Sequence, residues 1–325
     1  MSQYTNTILI TGGTLGLGYE AAVALAKRHP NYQMIIASRS DSNSASASIN
    51  VATGTNNTLF LPLDLSSLDN IRAFATSYSQ HNFPPIKALL LNAGLQFPGP
   101  LQFSTDGFEK TFAITHLGHA LLFYLLRPHL ASDARIVVTA SGVHDPAQKT
   151  GMPVPNFVSA EAVARPDPCT ATSDGRERYT TAKLCNVLWT YALARRLTQD
   201  AAKGEKKWTV VMMDPGLMPG TGLGRDYPAA FRFLWFYVLP YAVPLLRMLV
   251  TPHVYTTKES GGNLAELATG KEGEGVSGVY FQGATRAESS VESNVEGKQE
   301  DLYEWTLKAA AKGKEQEENF RRLAG

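Results

Sequence analysis

Over the first two hundred residues, short apolar runs alternate with stretches whose apolar positions recur at helical spacing. The runs predict strands at Thr7–Thr11, Gln33–Ser38, Leu59–Leu63, Ala88–Leu91, Arg135–Thr139 and Thr209–Met213. The helical patterns fall between them, at Gly18–Arg28, Leu68–Ser79, Phe108–Leu130 and Tyr179–Gln199. Strands that alternate with helices need crossover connections, which predicts an α/β fold with a Rossmann-type, doubly wound parallel sheet and a single domain over 1–325. Two segments break the rhythm. Residues 142–178 are rich in Pro, Ala and polar side chains, and 217–252 in aromatics and leucine; loops of such length inside a domain are more often functional than idle. Ser40–Asn57 reads as a flexible surface connection with room for a short helix. The C-terminal segment 298–325 reads as a charged surface helix whose stripe of Leu302, Trp305 and Leu307 packs loosely on the domain.

Composition narrows the function. With 325 residues, 44% hydrophobic and 18% charged, the chain can bury a full core, which excludes disorder as its main state. Thirty Lys plus Arg against twenty-nine Asp plus Glu leave a charge of +1, so no bulk field exists to hold nucleic acid or an anionic bilayer. A phosphate-bearing small molecule, held by a few local donors, remains compatible. The two cysteines, Cys169 and Cys185, lack the CxxC spacing of a metal site and the density of a disulfide framework, and fit a reducing cytoplasm. No secretory leader is expected, because the first apolar run, Ile8–Ile10, passes directly into Thr11-Gly12-Gly13; Arg322–Gly325 match no C-terminal address. Between Arg232 and Arg247 lie fourteen uncharged residues interrupted by Pro240 and Pro244, short of the roughly 20 a bilayer span needs, so no transmembrane helix is expected.

The first strand ends in Thr11-Gly12-Gly13-Thr14-Leu15-Gly16-Leu17-Gly18, with glycines where strand turns into helix. There backbone N–H groups and the helix N-terminus can face a pyrophosphate, and Gly18 lets the helix pack closely on the sheet. At the end of the second strand, Ser38 and Arg39 stand where an adenosine ribose would lie. An acid there favours NAD, whereas a guanidinium pairs with a 2'-phosphate and favours NADP(H); Asp41, two residues on, keeps NAD open. Asp64-Leu65 follows the third strand, where the carboxylate can fix an adenine amine or cap the next helix, a cap Ser66 or Ser67 could also supply.

Tyr179 and Lys183 stand four apart on a helix and so share one face. A neighbouring ammonium is expected to lower the phenol pKa toward the range in which it can move protons at neutral pH. Together with the glycine turn, these residues make the chain resemble the short-chain dehydrogenase/reductase family from about Thr5 to Gly222. Leu91-Asn92-Ala93-Gly94 is similar to that family's segment after the fourth strand, Ser141 to its catalytic serine, and Pro215-Gly216 to the segment that lies against the nicotinamide. Leu63–Leu68, His116-Leu117-Gly118-His119 and Lys183–Asn186 most resemble the retinol dehydrogenase and protochlorophyllide reductase branch, and Pro215–Leu223 resembles fungal members of it, several of which work in secondary metabolism.

The resemblance implies a single domain in which NADP(H) contacts Thr11, Gly12, Thr14, Leu15, Gly16, Leu17, Gly18, Ser38, Arg39, Asp64, Leu65, Asn92, Ala93, Gly94, Tyr179, Lys183, Pro215, Gly216 and Thr221. It implies Tyr179 as acid–base residue, Ser141 as holder of the substrate oxygen, and Lys183 as ribose ligand and tuner of Tyr179. Two positions depart from the pattern. Thr115 occupies the place of the Asn that helps hold a water relay to Lys183, and Gly220 the place of a Thr that Thr221 supplies one residue later. The expected activity is NADPH-dependent carbonyl reduction, or the reverse oxidation, on a bulky lipophilic small molecule. Two alternatives stand beside it: non-redox cyclisation or isomerisation, and an inactive NADP(H)-binding interaction protein.

The 37 residues between Ser141 and Tyr179 are far more than compact members of that family carry, which implies an inserted loop beside the site and a monomer in place of the usual dimer, a homodimer remaining the alternative. The aromatics Tyr227, Phe231, Phe233, Trp235, Phe236, Tyr237 and Tyr241 read as a substrate lid, with packing on the sheet and shallow membrane docking as competing readings. The histidines His116, His119, His129 and His144 form no metal-ligand pattern and read as polar fillers.

Overall fold

Ile8, Leu9 and Ile10 are all fully buried, so β1 (Asn6–Thr11) is apolar toward both faces, as a strand covered by helices above and below must be. Ile8 and Ile10 belong to one hydrophobic core and Leu9 to the other. The structure, a computed structural model, describes residues 3–169, 174–204 and 206–323, the side chain at 223 excepted. Residues 170–173 of the expected insertion, and 324–325 on which the C-terminal reading bears, lie outside the described residues.

From β1 the chain runs through α1 (Gly16–Arg28), β2 (Tyr32–Ser38), α2 (Ala45–Thr53), β3 (Thr58–Pro62), α3 (Leu68–Gln80) and β4 (Ile86–Leu91). It continues through α4 (Lys110–Phe112), α5 (Gly118–Leu126), β5 (Leu130–Thr139), α6 (Ala160–Ala164), α7 (Gly175–Ala202) and β6 (Thr209–Asp214). Last come α8 (Ala229–Phe233), α9 (Val243–Leu249), α10 (Thr257–Thr269), β7 (Val279–Gln282), β8 (Thr285–Arg286), α11 (Glu296–Ala310) and α12 (Lys314–Arg321). The sheet order is β3-β2-β1-β4-β5-β6-β7-β8, parallel throughout except at β8. The expected α/β doubly wound sheet is therefore present. Its strand order reverses between β1 and β4, where such sheets open a crevice at the carboxyl ends of the strands. One core lies under α1, α2 and α10, the other under α3, α5, α7 and α11.

Several expectations need correction. The helix expected over Phe108–Leu130 is present as one uninterrupted helical run over 110–129, α4 and α5 being joined by a π-helical turn at Ala113–Leu117 and followed by a 3₁₀ turn at Arg127–His129; only its ends differ, since Leu130 already pairs with Ile86 in the sheet. Pairing across to β4 thus ends the helix one residue before the apolar pattern does. The short helix that Ser40–Asn57 had room for is α2: Asp41 accepts hydrogen bonds from the Ala45 and Ser46 N–H groups (2.6 and 3.3 Å) and so starts it.

The C-terminal segment does not pack loosely. Leu302, Tyr303 and Leu307 of α11 are fully buried, with Phe320 of α12 2% exposed. Arg196 pairs with Glu300 at 2.5 Å, and the Arg127 guanidinium donates to the carbonyls of Asn319, Phe320 and Arg322. The stripe read from sequence was too narrow, because Tyr303, Thr306 and Ala310 complete a face that covers α7. The apolar segment after β6 is helical in all of Ala229–Leu249, with π and 3₁₀ turns carrying it through Pro240. By length and composition alone, its 21 residues could cross a membrane, although proline and arginine had argued against a span. Its large side chains are mostly exposed, Tyr237 and Tyr241 among them.

Candidate active site

The turn after β1 is built for an anion. Gly12 and Gly16 take positive φ (70° and 55°), which L side chains rarely adopt. At Gly18 a Cβ would stand 2.4 Å from the Gly12 carbonyl oxygen, so only glycine lets α1 start this close to the strand. The N-terminus of α1, with its free N–H groups, faces a cleft of ≈ 870 Å³.

A buried hydrogen-bond chain fixes the strand ends around that cleft. The Thr11 hydroxyl accepts from the N–H groups of Asn92 (2.8 Å) and Ala93 (3.0 Å), and the Asn92 amide donates back to the Thr11 carbonyl at 2.9 Å. His119 bonds the Thr11 hydroxyl through Nε2 (2.8 Å) and the Thr115 carbonyl through Nδ1 (3.0 Å). Donation by Nδ1–H to a carbonyl leaves Nε2 to accept from Thr11. Burial pushes the His119 imidazole down to about 4, so it is neutral, as a filler holding two backbone segments should be. Thr139 donates from its hydroxyl to Asn92 Oδ1 (3.2 Å), and its carbonyl accepts from Lys183 Nζ (2.8 Å) and Asn186 Nδ2 (3.2 Å). The turn, β4, β5 and α7 are thereby tied into one frame.

Ser141, Tyr179 and Lys183 all line the cleft. The Tyr179 hydroxyl makes no hydrogen bond to any described residue, and the Ser141 hydroxyl has only a long 3.5 Å contact from the Val143 N–H, so both remain available to a ligand. Lys183 is buried with Nζ 5.8 Å from the centroid of the Tyr179 ring. Burial pushes the ammonium down to about 8, partly opposed by the Asp214 carboxylate. The expected lowering of the Tyr179 phenol does not occur. Burial first, then the negative charge of Asp214 and neighbouring Tyr227, hold it above the ordinary phenol value, while the Lys183 amine is turned to the Thr139 carbonyl. Tyr179 is consequently a protonated phenol at neutral pH.

All but two of the anticipated site residues meet in this cleft: Gly12, Thr14, Leu15, Gly16, Leu17 and Gly18 from the turn, Ser38, Arg39, Asp64 and Leu65 at one end, Asn92, Ala93 and Gly94 along the floor, and Pro215, Gly216 and Thr221 beyond the catalytic trio. Thr11 does not line it, because its hydroxyl is spent inside the frame. Thr115 does not either. It is fully buried in the π turn, its hydroxyl has no partner among the described residues, and its carbonyl is taken by His119, so it is not placed to hold a relay to Lys183. The Arg39 guanidinium is exposed at the cleft and unengaged by other described residues, whereas Asp41 is consumed in starting α2. Asp64 Oδ1 accepts from the Ser66 N–H (2.9 Å) and hydroxyl (2.7 Å), and the cap of α3 is Ser67. The Thr221 hydroxyl donates to the Met218 carbonyl at 3.0 Å.

Sequence reading missed Asp214, Gln96 and Met218, which also line the cleft. Gln96 donates to the Tyr227 hydroxyl (3.1 Å) and Trp235 to the Thr221 carbonyl (2.8 Å), which ties the aromatic segment to the site. For Asp214 a signal existed: a carboxylate that directly follows four buried strand residues, Val210–Met213, is out of place in a core unless it has a task.

A nicotinamide dinucleotide fits this donor set: a glycine turn with room for a pyrophosphate, a guanidinium and hydroxyls at one end, and a phenol, hydroxyl and buried amine at the other. Residues 6–152 match the family profile described as short chain dehydrogenase. The WW domain-containing oxidoreductase of Drosophila melanogaster is 32% identical over 317 residues, covering 96% of this chain and 70% of that protein. Retinol dehydrogenase 14 of Homo sapiens is 31% identical over 295 residues (86% of this chain, 78% of that protein). The chloroplastic protochlorophyllide reductase A of Oryza sativa subsp. japonica is 28% identical over 291 residues (84% and 71%). The retinol dehydrogenase and protochlorophyllide reductase likeness read from the motifs is thus present along most of the chain.

Proposed function

Because this chain belongs to the short chain dehydrogenase family of oxidoreductases, which bind NAD(H) or NADP(H), we propose that it uses NADPH to reduce the carbonyl of a bulky lipophilic substrate. The observation that carries this reading is the convergence of Ser141, Tyr179 and Lys183 on the cleft that the glycine turn opens.

The bound cofactor would supply a hydride to the carbonyl carbon. The Ser141 hydroxyl donates to the carbonyl oxygen and holds it, and Tyr179 gives its proton to the same oxygen as negative charge builds there. Lys183, its amine anchored on the Thr139 carbonyl beside Gly94, is placed to bind ribose hydroxyls. A phenol held above its ordinary pKa is the right form for reduction; oxidation needs the phenolate and would require alkaline pH. Phe231 and Trp235 line the mouth and favour an apolar substrate of the size secondary metabolism supplies, and the free thiols Cys169 and Cys185 accord with a cytoplasmic location. With α11 and the 142–169 segment packed on α7, a helix-to-helix dimer face is covered and a monomer is favoured.

The choice of NADPH rests on Arg39, free at the cleft, and on Asp41, committed elsewhere. Arg39→Ala should weaken NADPH binding by about tenfold to a hundredfold, the worth of a charge-assisted contact, and leave NADH binding unchanged. Calorimetric titration with each cofactor checks this; equal losses for both would reject the NADP assignment. Incubation with NADPH and a panel of aromatic and polycyclic ketones, followed by NADPH absorbance, tests the reaction itself. Turnover is expected. Thr115, withdrawn from the cleft, favours the second reading, cyclisation or isomerisation, which tight NADPH binding without turnover on any ketone would support.

The helix 229–249 is read as a lid that also docks shallowly on a bilayer, with Phe233, Tyr237, Tyr241 and Met248 exposed and Arg232 and Arg247 near its ends. Most of the protein should sediment with phosphatidylserine-containing liposomes and be released when Phe233, Tyr237 and Tyr241 are all changed to serine. A wild type that stays in the supernatant leaves the segment as a soluble lid.

A further inference from the structure

Asp214 ends β6 and is only 3% exposed, yet it lines the cleft. Its Oδ1 accepts from the Gly216 N–H at 3.0 Å, and its backbone carbonyl from the Gly283 N–H at 2.9 Å, so the residue is held from both sides. Oδ2 is turned toward the residue after Ser141: a Cβ at Gly142 would stand 2.8 Å from it. The carboxylate therefore lies against the Ser141–Gly142 backbone, directly before Pro215-Gly216. Asp64 is the other carboxylate among the described lining residues, and it stands after β3 at the Arg39 end.

A buried anion requires a counter-charge or dense hydrogen bonding. Asp214 has one N–H donor on its side chain and forms no ion pair among the described residues; the Lys183 amine, which feels its charge, donates instead to the Thr139 carbonyl at 2.8 Å. Tyr179 and Lys183 of α7, His144 of the turn after β5 and Tyr280 of β7 all feel its charge. Lys183 is the one cation among them, and it forms no direct ion pair with Asp214.

The nicotinamide ring changes charge in the reaction, being cationic when oxidised and neutral when reduced. We infer that Asp214 is the counter-charge of the nicotinamide subsite, binding the oxidised ring more tightly than the reduced one and so stabilising the state reached when hydride has been given to the substrate. The inference rests on the cofactor reading above. A fixed anion beside the ring discriminates a cationic ring from a neutral one by about tenfold.

Asp214→Asn preserves shape and the acceptor for Gly216 N–H while removing only the charge. Dissociation constants for NADP+, NADPH and 2',5'-ADP, the last lacking the nicotinamide, should be measured by calorimetry on both proteins. NADP+ binding should weaken by about tenfold, with NADPH and 2',5'-ADP shifted by less than about twofold. Loss of affinity by the same factor for all three, or no change in any, overturns the inference. A wild type that binds NADP+ and NADPH in neither case overturns the cofactor reading and the inference together, which separates the two failures. Should Asp214→Asn fail to fold, Asp214→Ser gives the same comparison.

Discussion

Tyr179→Phe should lower kcat for ketone reduction by about a thousandfold while NADPH affinity stays within about twofold, because general-acid catalysis is typically worth 10²–10⁴. The change removes one oxygen that bonds to no described residue and keeps the ring, which is 6% exposed and packed. No internal partner is orphaned, so the melting temperature should hardly move. Steady-state kinetics with a saturating ketone, beside a cofactor titration, distinguishes a lost proton donor from a damaged site. Comparable turnover in the variant would eliminate Tyr179 as the acid.

Lys183→Met should produce the opposite pairing, an inactive but more stable protein. The buried amine has its folded pKa pushed from 10.5 down to about 8. Between those values the unfolded chain binds more protons than the folded one, so stability rises with pH across that window, and below pH 8 the full cost of burying the ammonium is present. Methionine, of similar length and apolar, removes that cost; the Thr139 carbonyl keeps Asn186 as a donor at 3.2 Å. The variant should therefore gain about 1–3 kcal/mol at neutral pH, a gain that shrinks as the pH approaches the ordinary lysine value. Activity should fall at least a hundredfold with the ribose contact gone. Denaturant melts at several pH values check the sign. A Met variant less stable at pH 7 would show that the ammonium is compensated in the fold, contrary to its burial.

The two variants also sort out the pH dependence. Since the Tyr179 phenol is held above its usual range and Lys183 falls to about 8, the first alkaline loss in kcat/KM for reduction belongs to Lys183. Had the ammonium lowered the phenol, as spacing alone implied, Tyr179 would have titrated first.

Local patterns made much of this legible. The glycine turn at 12–18, each strand and helix of the alternation through β6, Ser141 after β5 and the Tyr179–Lys183 pair on α7 are short-range features, and each lies where its pattern places it. Only the tertiary structure decided which neighbours those residues meet. Thr11 leaves the cleft because Asn92, Ala93 and His119, 81 to 108 positions away, bind its hydroxyl. Asp214 is pressed against Gly142, and α11 closes over α7 from the far end of the chain. Periodicity and motif spacing record which conformation a segment can adopt; the electrostatic environment of a buried group depends on charges and burial contributed by segments distant in the chain, which no local pattern encodes.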